Sequence, residues 1–173
     1  AEVRERFDIT VGVVLGPHPV AWEHQIADLG MERASELHLE AVHLALKHIE
    51  AGDAQCLGEV GRPHYPVSDE TWAAANENLA EIMAAAAGSS TPIQLHVEDS
   101  GAQTYAELAT MANSAGLPLS HTIRHYAPAD VSADFTYGLA CTVNVGRGSV
   151  EALLASHASA SSPWGMETDY LDD

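Results

Sequence analysis

Short runs of β-branched and apolar residues alternate with longer stretches of helical periodicity, and this alternation restricts the chain to a parallel α/β architecture. Residues 9–15 read as a buried strand bounded by Gly16-Pro17. Residues 32–49 carry Leu37, Ala41, Leu44 and Ala45 at helical spacing, and a second strand is expected over 54–60. Ser68 caps a helix anchored by Trp72, Leu79, Ile82 and Met83 and stopped by Gly88. Further strands fall at 92–97, 119–125, 139–145 and 164–168. Ser100 with Gln103 forms a capping box for the helix that ends before Gly116, and Ser149 opens a short helix through about Ser156.

A doubly wound open sheet would announce itself with a glycine-rich first turn, which this chain lacks. A closed barrel needs eight strands. The expectation is therefore a TIM-type (β/α) barrel with about six of its eight strands, one domain over residues 1–173. It is expected to be a fragment, without the opening strands and the closing helix.

Polar residues gather where the strands end. Glu59 closes AQCLGEVG, His96 closes PIQLHVE, His125 closes LSHTIRHY, and Asp169 closes WGMETDY. In a parallel barrel those ends open on one face, where active sites are built. A single acid or imidazole at the end of an apolar strand is ordinarily a hydrogen-bonded core group, because burial without a partner is costly. Four of them on four strands point to a metal site, and imidazole with carboxylate suits zinc, manganese or a related divalent ion.

The ordered set Gly16-Pro17-His18-Pro19, Leu57-Gly58-Glu59-Val60-Gly61, Gln94-Leu95-His96, His125 and Glu167-Thr168-Asp169 resembles the TatD family of metal-dependent hydrolases. GEVGRPHYP (58–66), QLHVE (94–98), HYAP (125–128) and METDYLDD (166–173) are most similar to its archaeal branch. The resemblance implies that Glu59 bridges two metal ions. It implies also that His96 and His125 complete one site, and that Asp169 ligates the other ion and orients the attacking water. Two features depart from the family pattern. The chain contains no His-x-His, which the family carries on its first strand, so one site is short of nitrogen ligands. Glu98 stands where bacterial members tend to have an arginine.

The function expected from this resemblance is divalent-metal-dependent hydrolysis of a phosphodiester, as in a DNase, with two ions (Zn, Mn or Mg) as cofactors. Two alternatives remain open at this point. One is an amidohydrolase-type reaction on a carbonyl substrate; the other is a non-catalytic remnant serving as a binding or assembly module.

Charge bears on the substrate. Seven Lys and Arg stand against 25 Asp and Glu, a formal net charge of −18, and Lys47 is the sole lysine. Such a surface could repel polyanions, or could keep the protein hydrated in concentrated salt. Scattered acids and scarce lysine favour the second, halophilic reading. In 1 M salt the screening length is about 3 Å, so acidity does not exclude DNA. No run of 18 or more apolar residues suggests a membrane span, and no secretory leader is visible, so a cytoplasmic location is expected. Cys56 and Cys141 each sit in apolar runs and read as core residues.

The remaining candidates carry weaker signals. His64 follows a strand end in the loop that Pro63 and Pro66 stiffen, and is expected to contact substrate. Arg62 is a second substrate candidate, its planar fork being suited to phosphate oxygens, with a surface or salt-bridged role as the favoured alternative. His18 is expected to shape its loop more than to bind metal. His38, His43 and His48 are spaced by five, about 140° apart on a helix of 3.6 residues per turn, and are expected on the surface. His121 should lie roughly 13 Å below His125 on one strand. Gly146-Arg147-Gly148-Ser149 reads as a turn and helix start that could also favour an anion. Trp22, Trp72 and Trp164 read as packing residues.

Overall fold

The computed structural model describes residues 6–169. Its six strands are all parallel and lie in chain order: β1 (Val14–Leu15), β2 (Cys56–Gly61), β3 (Ile93–His96), β4 (Thr122–Ala127), β5 (Ala140–Asn144) and β6 (Trp164–Glu167). Six helices stand between them: α1 (Pro19–Leu29), α2 (Met31–Glu50), α3 (Asp69–Gly88), α4 (Ala102–Ala115), α5 (Ala133–Thr136) and α6 (Ser149–Ser156). The sheet curls into a half-barrel, consistent with an incomplete TIM-type barrel. The end of the METDYLDD stretch, beyond Asp169, lies outside the described residues.

The core lies between the outer face of the sheet and the helices. Leu57, Val60, Ile93 and Leu95 from the strands meet Leu79, Ile82, Met83 and Leu108 from α3 and α4, all fully buried. Burial of one such side chain is worth roughly 1.5–3 kcal/mol, so this layer is the main source of stability. Cys56 and Cys141 are free and buried within the sheet.

Several local readings are corrected. The first strand is limited to Val14–Leu15, because it pairs with β2 alone among the described strands, and Ile9 and Val13 stay half-exposed. A helix without a sequence signal, α1, follows the first strand. His18 is its cap, with Nδ1 accepting from the Val20 N–H at 3.2 Å, and Pro19 opens its first turn. The Ser100–Gln103 box does not form. Gly101, at φ 64°, takes the cap position instead, while Ser100 N donates to Thr104 and Gln103 to Glu107. On α2 the buried stripe is Ala34, His38, Val42 and Ala45, so His38 faces inward beside Trp22 and Leu44 faces out. His43 and His48 are exposed. His121 lies not on the strand but in the 3₁₀ turn Leu119–His121 at its foot.

Two irregularities break the sheet ladder, one between Leu57 and Val60 against β3 and one between Arg124 and Ala127 against β5. The first contains Glu59 and the second contains His125. Interruptions of this kind re-aim side chains near sites. Beyond the first, Gly61 (φ 151°) lets β2 approach β3 closely, since a Cβ there would collide with the His96 carbonyl.

Candidate metal centre

Glu59 stands at the centre of three imidazoles. Its Oε2 lies 3.2 Å from His96 Nδ1, 3.6 Å from His18 Nε2 and 3.6 Å from His125 Nε2. The three rings arrive on separate elements. His18 comes from the cap of α1, His96 from the last position of β3, and His125 from the β4 bulge. The rings pack together as well, with centroids 4.4 Å apart for His18 and His96 and 5.7 Å for His96 and His125.

The hydrogen bond from His96 holds the Glu59 carboxyl below the usual carboxylate range, outweighing its partial burial. Burial lowers the pKa of His18, with His96 adding to the effect and Glu59 opposing it. His64 is lowered too, by burial first and by His96 second.

The donor set suits a divalent cation. One ligand atom each from His18, Glu59 and His96 all lie within 4.8 Å of one another. Tetrahedral zinc with metal–ligand bonds near 2.0 Å needs ligand atoms about 3.3 Å apart, and the Glu59 oxygen stands 3.2 Å and 3.6 Å from the His96 and His18 nitrogens. His96 adds a chemical argument, because its Nε2 meets Nδ1 of His64 at 2.6 Å. One of those two nitrogens carries the proton. With that proton on His64 Nδ1, His96 Nε2 accepts it and His96 Nδ1–H donates to Glu59; with the proton on His96 Nε2, the Nδ1 lone pair is free to ligate a cation shared with Glu59. At His18, the Nδ1 that accepts from Val20 leaves the proton of the neutral ring on Nε2. Ligation through Nε2 thus competes with the cap bond.

A cavity of about 590 Å³ opens beside this cluster, lined among others by His64, His96, His125, Tyr126, Asn144 and Asp169. Glu59, His125, Glu167 and Asp169 share a second hollow. Asp169, exposed at the mouth of both, has a left-handed backbone (φ 46°).

Arg62 takes the salt-bridged role and not the substrate role. Its side chain is 2% exposed, so it presents no free fork to a phosphate. The guanidinium donates to Glu98 through Nε and Nη2, to Glu107 through Nη2 and to Asn76 through Nη1, and lies over the Trp72 ring at 4.6 Å. Glu98 is the anchor for this guanidinium. Sequence reasoning also gave no role to Glu167, the last residue of β6, whose carboxylate takes His125 Nδ1 at 3.1 Å. Its spacing of two from Asp169, which puts both on one face of an extended segment, was the available signal.

No helix among the described residues is long and apolar enough to cross a membrane.

Comparison with known proteins adds two findings. The family model described as TatD related DNase matches residues 1–162, a span that stops short of Glu167 and Asp169. The uncharacterized protein MJ1127 of Methanocaldococcus jannaschii is 32% identical over 161 residues, 92% of this chain. The chain spans about half, 56%, of the length of that relative.

Proposed function

The chain belongs to the TatD-related DNase family, and on that premise we propose that it hydrolyses phosphodiester bonds, with DNA as the substrate class and two divalent ions as cofactors. The observation that carries this reading is the placement of Glu59 among His18, His96 and His125. Glu59 would be the shared carboxylate, His96 and His125 would hold one ion, and Asp169 would hold the other. His18 is the additional nitrogen within reach where the chain lacks a His-x-His.

Bound at this set, a divalent ion would lower the pKa of water towards 7 and would offset charge growing on the phosphate. The chain's own residues do the rest. Glu59 gathers the imidazoles on one oxygen, and Asp169 at the cavity mouth accepts a proton from the attacking water. His64, on the cavity wall and hydrogen-bonded to His96, contacts the substrate.

The test is phosphodiesterase activity of the 173-residue chain on linear DNA with added manganese, zinc or magnesium. Glu59→Gln and Asp169→Asn should each lower turnover by at least about a hundredfold, the scale of removing a group that stabilises transition-state charge. Turnover left unchanged by both substitutions would exclude the assignment.

A further inference from the structure

The carboxylate of Glu167 meets two groups of β4, two strands away. His125 Nδ1 lies 3.1 Å from Oε1 and 3.2 Å from Oε2, and the Tyr126 backbone N–H donates to Oε1. Tyr126 is a non-glycine residue with φ 50°, in the bulge where β4 departs from its register with β5. Its N–H therefore turns to Glu167 instead of joining the ladder. The pair is enclosed: the His125 side chain is 6% exposed and that of Glu167 15%.

An ionised carboxylate has lone pairs and no proton to give. Both groups facing it must be donors, so the proton of a neutral His125 ring sits on Nδ1. Its lone pair then falls on Nε2, the atom 3.6 Å from Glu59. Other hydrogen bonds of an imidazole decide which nitrogen is free for a metal.

We propose that Glu167 is a positioning residue that fixes the His125 tautomer and aims Nε2 at the metal centre. It acts through His125 and the Tyr126 bulge and touches no substrate. The inference rests on the metal reading above for its consequence, although the tautomer itself can be read without any ion.

Long-range ¹H–¹⁵N NMR of the metal-free chain reports which ring nitrogen of His125 carries hydrogen. The expected result is Nδ1–H with Nε2 bare. Glu167→Gln keeps shape but can offer an amide proton to Nδ1. In this variant the ring should shift towards Nε2–H, and zinc titrated alone should bind 10- to 100-fold more weakly. Its circular dichroism should match the wild type. Wild-type protein with His125 protonated on Nε2 overturns the proposal, as does a Gln variant with wild-type zinc affinity. Should the wild type bind no zinc, manganese or magnesium, the metal reading fails, and the NMR result still decides the role of Glu167. The wild-type measurement stands alone if the variant does not fold.

Discussion

Glu98 grips Arg62 with both carboxylate oxygens, Oε2 on Nε at 2.8 Å and Oε1 on Nη2 at 2.5 Å, so the loops after β2 and β3 are tied beside the site. Two-point pairing of this kind is stronger than a single contact and fixes geometry. It lies below the surface, with Arg62 2% and Glu98 19% exposed.

Removing one side of this pair should destabilise the fold sharply. Arg62→Leu leaves Glu98 with Thr104 as its remaining side-chain partner. The expected cost is on the order of 3–5 kcal/mol, because the stranded charge is more damaging than the lost attraction. Arg62→Leu combined with Glu98→Leu should recover a large part of that loss. Urea unfolding of the two variants and the wild type measures it. Equal stability of the single variant and the wild type would contradict the clamp.

His38 should make the protein acid-sensitive. Burial pushes its pKa down to about 4, with His18 contributing, against an ordinary value of 6.5. The folded state favours the neutral ring, so the unfolded chain takes up a proton first as pH falls. Stability from this residue is full above about 6.5 and is lost between there and 4, on the order of 3 kcal/mol in all. His38→Leu should flatten that part of the stability–pH curve relative to wild type. Parallel curves would show that His38 is not responsible.

Divalent ions should stabilise the folded chain. At a free ion concentration of a hundred times Kd, binding to the native state alone adds about 2.7 kcal/mol, and Tm rises accordingly. A chelator should reverse the rise. Glu59→Gln should abolish it, since that oxygen faces all three imidazoles. Differential scanning calorimetry with zinc and with manganese provides the comparison.

Helix start and ion binding should trade against each other at His18. His18→Ala removes the cap on α1 and should cost about 1 kcal/mol without metal. His18→Asn restores a capping acceptor, so metal-free stability should return towards wild type. Neither variant should recover the full metal-induced rise in Tm. An Asn variant with the complete rise would remove His18 from the ligand set.

The strand-by-strand architecture was legible because period and turn chemistry agree in most segments. Six apolar runs each end near a polar residue, and parallel pairing follows from the helices between them. Glu59, His96 and His125 could be singled out for the same reason, as costly residues on otherwise apolar strands. Features that depend on distant partners were not legible. Arg62 looked available for phosphate because the residues that consume it, Asn76, Glu98 and Glu107, stand 14 to 45 positions away. Helix α1 has no legible start because histidine is an unusual cap. His38 was placed on the surface because three histidines five apart cannot share a face, although one of them still falls on the buried stripe. Glu167 was seen only as a letter beside Asp169, since its partner is set by how the sheet bends.

That bend has a practical meaning. In a flat sheet the backbones of strands two apart are separated by roughly 9.5 Å, and a curl shortens that span on its inner face; the side chains of His125 on β4 and Glu167 on β6 meet across β5 at 3.1 Å. Curvature, as much as residue choice, sets which groups can work together here. A substitution deep in the helix layer that relaxes the bow could silence the chemistry with every participating side chain intact.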